Sequence, residues 1–563
     1  MIERKSFNYN VYGTFSRDFA VKHSISATYG AEWQTINQYN RDMEAQNLNG
    51  TYKEIGNPNN YLSMFGGLTN EEYLLGYIGR ADYKFMNRYM VGVSLRRDGS
   101  SKFRPTSRWQ TFTAFSFGWV VSDESFFQAS EVVNFLKFRG SFGQTGNKDI
   151  PSNRFTTTFT NNSNDRYGES TLISGGTQIG NLGNPSLTWE TTDNYDVGID
   201  YGLWKNRVNG SIAYYLRNIN DLLLFVSLPP SAGIGGIWNN IGDMRNQGFE
   251  LSISSVILNK QSSGLKWSAD FNIATNRNKV LRLTPKLDRE GRGVDRNYTK
   301  SVAGGNLWTY YICEWAGVDP EKGVDMIYEI DYDLWQKTGK TIKTGRLVPA
   351  TSTNLERNRI ILQDKTSIPK WYGGLTNNID YKGFNLNFLI SFSGGNYLYD
   401  YEEQRTTAVQ YGQVVLRKSL LGNTWENPGD KTKYPQLVWD SQYDWGWDLE
   451  AINPEWTGSP DDPRAKGYWV GGPSDPKTYV YNNETSAYSK YLYPADYIKL
   501  RRIELGYRFS EKLLSRLSVN TFRLYFSIDN ALKWSRYKGW DPETGGGVLP
   551  PLRVFSIGAD MKF

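Results

Sequence analysis

The chain has 563 residues, and its 64 Lys and Arg against 58 Asp and Glu leave a formal charge of +6, too mild and too dispersed to argue for nucleic acid as a partner. One cysteine (Cys313) excludes an internal disulfide and a cysteine-based metal cluster, and the single histidine (His23) leaves no His-based triad partner or His-rich metal site elsewhere. No run of about eighteen apolar residues is present, so no transmembrane helix is expected, yet aromatics reach 15%, a level that suits interfacial girdles better than a soluble core.

The predicted elements are strands from one end to the other. Phe7, Tyr9, Val11, Gly13 and Phe15 alternate with polar residues, and Ile25, Ala27, Tyr29, Ala31 and Trp33 repeat the pattern. It returns at Val91/Val93/Leu95, Tyr195/Val197/Ile199/Tyr201, Val208/Gly210/Ile212/Tyr214 and Phe249/Leu251/Ile253. It continues through Trp267/Ala269/Phe271/Ile273, Phe384/Leu386/Phe388/Ile390/Phe392 and Phe522/Leu524/Phe526/Ile528. The last nine residues close the series: Phe555, Ile557, Ala559, Met561 and Phe563 share one face, and Ser556, Gly558, Asp560 and Lys562 the other. Arg80, Asp82, Lys84, Arg139, Glu250 and Asp270 all fall on polar faces.

Periodicity alone fits a β-sandwich, whose apolar face is a core, or a membrane barrel, whose apolar face meets lipid. Turn lengths choose between them. Short links at Met86–Tyr89, Trp204–Arg207 and Lys382–Gly383, and medium ones at Ser16–Lys22, Ser122–Asn134 and Ser510–Asn520, are read as periplasmic turns. Long links near 34–72, 98–108, 144–191, 217–244, 276–303 and 532–553, with the longest from Gly394 to Tyr497, are read as outer loops. Short and long alternate, as an up-and-down meander requires and a Greek key does not. The expected fold is therefore all-β: an antiparallel up-and-down transmembrane β-barrel with long extracellular loops. About fifteen strands are counted, or seventeen if Trp308–Trp315 and Met326–Ile330 add a pair. An odd count puts the termini on opposite sides and leaves two open edges, which are costly in lipid. The expectation is a part of a larger barrel spanning 1–563, with the long outer loop 394–497 inside it. Met1 leads straight into a strand, so the export signal a secreted barrel needs is expected either to have been removed or to lie upstream.

Several blocks resemble the SusC/RagA family of TonB-dependent outer-membrane transporters of Bacteroidota. Leu136 to Asn147 (LKFRGSFGQTGN) is similar to one family segment, and Asn184 to Glu190 (NPSLTWE), followed by Tyr195 to Asp200, to another. Leu95–Phe103, Asn240–Glu250, Pro369–Leu375 and Ala495–Tyr507 match further blocks in order. The resemblance implies a barrel of about twenty-two strands, of which this chain holds the later part, without the TonB box and plug. It implies nutrient import of a glycan, oligosaccharide or peptide across the outer membrane. It also implies a SusD-like lipoprotein lid, and TonB acting only through the missing plug.

Catalysis finds no motif, and no cofactor or metal is expected. Asp461-Asp462 and Glu402-Glu403 read as solvated loop carboxylates. Asp319 to Asp325 carries oxygen ligands at alternate positions but lacks the glycine and bidentate glutamate of a calcium loop. Gly545–Gly547 precedes no helix and is no phosphate cradle. His23 reads as an interface residue. Trp425, Trp439, Tyr443, Trp445, Trp447, Trp456 and Trp469 cluster in the longest outer loop; they either pack that loop or contact substrate or a lid. Ser556, Gly558, Met561 and Phe563 fit the terminal pattern by which the barrel assembly machinery recognises clients through strand addition. The alternatives are a passive porin-like or adhesin-like barrel, and a soluble β-rich glycan hydrolase.

Overall fold

Alternating sequences with Val, Ile, Tyr, Phe and Thr at every second position favour extended backbone, and short turn sequences bring successive strands side by side. The computed structural model describes residues 2–46, 61–127, 131–162, 176–228, 230–260, 262–284, 287, 293–350, 352–407, 417–435, 488–514, 519–545 and 549–563. The chain divides into two units, Met1–Asn206 with Ser211–Gln247, and Arg207–Gly210 with Gly248–Phe563.

The first unit is an antiparallel meander of eight strands: β1 (Ile2–Phe19), β2 (His23–Gln46), β3 (Tyr61–Phe85), β4 (Tyr89–Ser100), β5 (Trp109–Val120), β6 (Val133–Asn147), β7 (Glu190–Leu203) and β8 (Val208–Asn220). The second holds seven: β9 (Asp243–Lys260), β10 (Leu265–Thr275), β11 (Trp371–Tyr381), β12 (Phe384–Gly394), β13 (Tyr497–Arg508), β14 (Thr521–Ser535) and β15 (Val554–Lys562). Within each unit the strands pair with their neighbours in chain order, with no crossover. Links 20–22, 86–88, 121–132, 204–207, 261–264, 382–383 and 509–520 lie at one end of the strands. Within each unit the longer connections, such as 101–108 and 221–242 in the first, lie at the other. At the tightest link, Lys382 and Gly383 take φ of 46° and 93°, the left-handed pair a two-residue hairpin needs.

Two expectations change. The proposed extra pair does not enter the wall. Thr309–Cys313 pairs with Thr299–Ser301 and Arg359–Thr366, while Asp325–Ile330 pairs with Trp315–Val318 and Lys343–Pro349. All belong to one insert, 276–370, so among the described residues the successive wall strands number fifteen, with Arg277–Arg282 pairing alongside β9 off that path. The second change concerns 34–72. Strands β2 and β3 run on to Gln46 and back from Tyr61. A membrane span needs about ten residues, so this hairpin continues past the apolar band. From Gln34 to Asn40 the apolar residues no longer alternate, so the strand loses its sequence signature there.

The apolar stripes lie open rather than buried. Val11 is 74% exposed, Val197 59%, Phe555 62% and Ile557 85%. Val91, Val93, Leu95, Phe249, Leu505, Leu524 and Phe526 are likewise exposed. A sandwich would cover these side chains with a second sheet. Row by row the stripes are continuous: Ile253, Phe271, Leu375, Ile390, Leu500 and Leu532 stand opposite one another across six strands of the second unit. Buried cores sit instead in the loops, one in each unit.

Candidate transport surface

The opposite face of the first unit is polar and laddered by charge. Register aligns Ser26, Asp82, Gly92, Ser116, Ser141 and Asp196 in one row, and Thr28, Arg80, Ser94, Ala114, Gly143 and Asn194 in the next. Arg80 grips Asp82 with both Nε (2.7 Å) and Nη2 (3.0 Å). Arg139 on β6 reaches both Asp196 and Asp200 on β7. Arg96 on β4 spans β3 to reach Glu32 on β2 at 2.7 Å while holding Asp98 at 2.8 Å. That reach crosses Gly76, where a Cβ would lie 2.5 Å from Asp98 Oδ1 and 2.9 Å from Arg96 Nη2. A cleft of about 280 Å³ opens on this face, lined among others by Asp82, Lys84, Gly92, Ser116, Arg139 and Ser141. Its lining mixes these ions and hydroxyls with Met90, Val91 and Phe117.

The outer loops of this unit fold on their own core of Phe103, Phe112, Ile150, Leu187, Trp189 and Leu223. The Asn184–Glu190 block is a clasp. Asn184 Nδ2 donates to Trp238 O (3.0 Å) and Asn239 Oδ1 (3.1 Å), and Trp189 Nε1 donates to Arg108 O (2.9 Å). Beside it Glu72 is buried between the ammonium groups of Lys102 and Lys148. Burial pulls both lysines below their usual range, although Asp149 opposes the shift. The paired carboxylate of Glu72 works in the same direction as Asp149, so the downward shift is a desolvation effect that close pairing limits.

In the second unit the two long inserts, 276–370 and 395–496, share one core around Ile312, Cys313, Ile327, Tyr399, Tyr488 and Tyr491. Lys490 lies buried with its Nζ 3.5 Å from Asp325 and about 5.0 Å from the ring centroids of Trp315 and Tyr434. Asp325 also accepts the Trp315 indole N–H at 2.7 Å. Glu403 is not in a solvated acidic loop: it sits in the helix Tyr401–Thr407, buried, accepting from Lys433 Nζ (3.0 Å) and Tyr493 Oη (2.5 Å). Asp400, fully buried, caps that helix through the Glu403 N–H at 2.9 Å. Burial raises its carboxyl above the ordinary value, and Arg417 stands 3.8 Å away, too far to hydrogen-bond. Burial also pushes the Cys313 thiol up to about 12, so it is an inert core residue. Asp319 closes a turn by accepting the N–H groups of Glu321 and Lys322.

Of the predicted aromatic cluster, Trp425 alone is described. It is 7% exposed, its ring rests on Gly323, and its Nε1 donates to Pro320 O at 2.7 Å. Trp439, Tyr443, Trp445, Trp447, Trp456 and Trp469 lie outside the described residues, as do Asp461 and Asp462. His23 begins β2, bonded to Tyr83 Oη at 2.7 Å and tilted against Phe85. Sequence reasoning missed the buried polar groups Lys490, Asp325, Asp400 and Glu72, whose charge reads as surface until a core encloses them.

Strand β15 pairs with β14 over its full length, from Thr521 opposite Lys562 to Asp529 opposite Val554. Gly558 receives the Tyr525 ring: a Cβ there would sit 2.3 Å from Tyr525 Cζ. Ser556 stands opposite Ser527, and Met561 and Phe563 are exposed on the apolar side.

Residues 2–411 match the family described as TonB dependent receptor-like, beta-barrel. TonB-dependent receptor P39 of Formosa agariphila is 28% identical over 583 residues, covering 97% of this chain and 50% of that protein. TonB-dependent receptor SusC of Bacteroides thetaiotaomicron is 26% identical over 518 residues, covering 87% of this chain and 44% of that protein. The solved structure of the RagAB peptide transporter shares the fold with a TM-score of 0.73 at 23% identity, over 100% of this chain and 56% of that one. The chain spans about half the length of the curated relatives it matches. Open apolar stripes, a charged opposite face, alternating turn lengths and these matches lead to one assignment: the chain belongs to the TonB-dependent receptor family, as a SusC/RagA-like β-barrel of the outer membrane.

Proposed function

We propose that the full-length protein imports a nutrient, a peptide or an oligosaccharide, across the outer membrane by a TonB-dependent route. This chain supplies the wall and outer loops. The observation that carries the reading is the two-faced sheet: exposed apolar stripes for lipid, and on the other side a hydrated, ion-paired face along which a polar solute can pass. The RagAB likeness, to a peptide transporter, supports the peptide reading in particular.

The partners follow from the same likeness. A second protein, a lipoprotein lid of the SusD type, closes over the outer loops, and TonB acts through a plug contributed by the rest of the protein. Trp439, Tyr443, Trp445, Trp447, Trp456 and Trp469 offer ring faces to the substrate or the lid, while Trp425 anchors their segment. Ser556, Gly558, Met561 and Phe563 form the signal read by the barrel assembly machinery, and the organisation is one barrel region, 1–563, with the outer loop 394–497 set into it.

Deletion of the gene tests the proposal. Growth on oligopeptides or oligosaccharides too large for porins is expected to fail and to return with the intact gene. Unimpaired growth on all such sources would sink the import reading. Uptake that persists without TonB would make the protein a passive pore.

A further inference from the structure

Three short turns of the second unit carry cations, with no acid among their described residues. Arg207, Lys260 and Lys382 are exposed and sit at three successive short turns. They are neighbours along the rim. Val256 N donates to Arg207 O at 2.8 Å, Lys260 stands opposite Leu265, and the Cγ of Lys382 lies 3.9 Å from where a Cβ on Gly264 would be. The nearby acid, Asp380, stands opposite Lys266 on the other face of the sheet.

These cations border an aromatic girdle. Leu265, Tyr381, Phe384, Tyr507 and Leu524 form one row on the apolar side, and Lys260 shares its face. Rings pack along it: Phe384 against Tyr507 at 4.6 Å, Tyr507 edge-on to Phe509 at 5.0 Å and Phe509 stacked on Phe522 at 5.1 Å. Lys382 lies over the Tyr381 ring at 5.3 Å. Arg207 is held in place because its Nη2 donates to Val256 O (3.3 Å) and Ile257 O (2.9 Å), and a guanidinium has further N–H donors beyond those two. Aromatic rings at the edge of an apolar band mark headgroup level. Lys260 and Lys382 stand at that level on the apolar side, with Arg207 fixed at the adjoining strand end, and such cations complement a phosphate diester.

We propose that Arg207, Lys260 and Lys382 form a binding site for the headgroup of an anionic phospholipid in the periplasm-facing leaflet. Three tight turns that barely clear the girdle suit a headgroup better than a protein partner. The site fastens the second unit to its leaflet and gives this sector a lipid preference. The corresponding end of the first unit is balanced, for Arg88 is paired with Glu124, and Asp18, Asp123 and Glu131 stand nearby in the turns.

The test is electron spin resonance on the full-length protein in phosphatidylcholine vesicles, with spin-labelled phosphatidylglycerol and phosphatidylcholine compared as boundary lipids. Wild-type protein is expected to prefer phosphatidylglycerol. Each of Lys260→Gln and Lys382→Gln should weaken that preference about fivefold, the factor for one basic residue near an anionic surface. The triple variant with Arg207→Gln should erase it. Heat-modifiable gel mobility reports whether each variant is folded, and the single variants decide the matter if the triple is not. Lys205→Gln, in the first unit, should change nothing. Excess inorganic phosphate, against chloride at equal ionic strength, should leave the preference intact; its loss would assign the site to free phosphate and overturn the proposal. A wild-type protein without preference would leave the rim to an acidic protein partner, and a triple variant that keeps the preference would place it elsewhere. Either overturns the proposal.

Discussion

Replacing Ile253 with arginine is the most direct probe of which face meets lipid. Ile253 lies on β9, whose lower end is the turn after Lys260, and the ladder to β10 slips one residue between Val256 and Leu258. Six effective steps of about 3.3 Å, on a strand tilted by about 40°, lift it roughly 15 Å above the turn. That is close to the middle of an apolar band about 25 Å tall. Its row is Phe271, Leu375, Ile390 and Leu500, so no carboxylate can pair with a new guanidinium there. The expected cost is about 2–4 kcal/mol. Ser252, one residue away, shares its row with Asn272, Gly374, Ser391 and Lys499 on the wet side. Ser252→Arg should cost less than about 1 kcal/mol, as surface substitutions do. Denaturant titration of the full-length protein folding into lipid vesicles measures both. Equal losses would refute the assignment of faces.

Leu187 is fully buried in the loop core of the first unit, and Leu187→Ala should destabilise that core by about 2–5 kcal/mol, seen as faster amide exchange in 101–108 and 184–190 while strand amides stay protected. For Asp400 the sign is worked from its raised carboxyl: the protonated form is favoured in the fold, so stability is fullest below the unfolded value near 3.8 and is lost as pH rises through the folded value. Exchange in the helix Tyr401–Thr407 should therefore be slower at mildly acidic than at neutral pH after correction for intrinsic rates, and Asp400→Asn, which keeps an oxygen for the Glu403 N–H, should remove the difference. Gly558→Val should displace the Tyr525 ring and lower the yield of heat-modifiable barrel, an outcome that an unchanged gel pattern would contradict. Deleting Phe563 should lower outer-membrane levels of the full-length protein on quantitative blots; unchanged levels would remove its role in assembly.

The wall was legible because a strand between lipid and water must alternate, and a period of two survives in any one sequence. Val91/Val93/Leu95 or Phe555/Ile557/Met561 need no partner to be recognised, and the contrast between Lys382–Gly383 and the loop before Tyr497 orders the strands in the same way. Where lipid no longer touches the chain, that signal ends. Residues 34–46 read as loop because the apolar alternation stops at Gln34 although the β2–β3 hairpin runs on, and the alternating stretch near Met326–Ile330 passed for wall because a small loop sheet with one buried side has the same period. The outer cores were illegible for a different reason. Lys490, Asp325, Asp400 and Glu72 look like surface charges one at a time; only packing against segments elsewhere in the chain, such as Asp325 against Lys490, removes their water and makes them structural. Trp425 followed the same rule. Its type and loop position allowed a ligand face or a packing role, and the decision came from Gly323, a residue whose missing side chain leaves room for the indole. Alternation is a property of each strand by itself, whereas burial belongs to the whole set of neighbours, and only the folded chain brings those neighbours together.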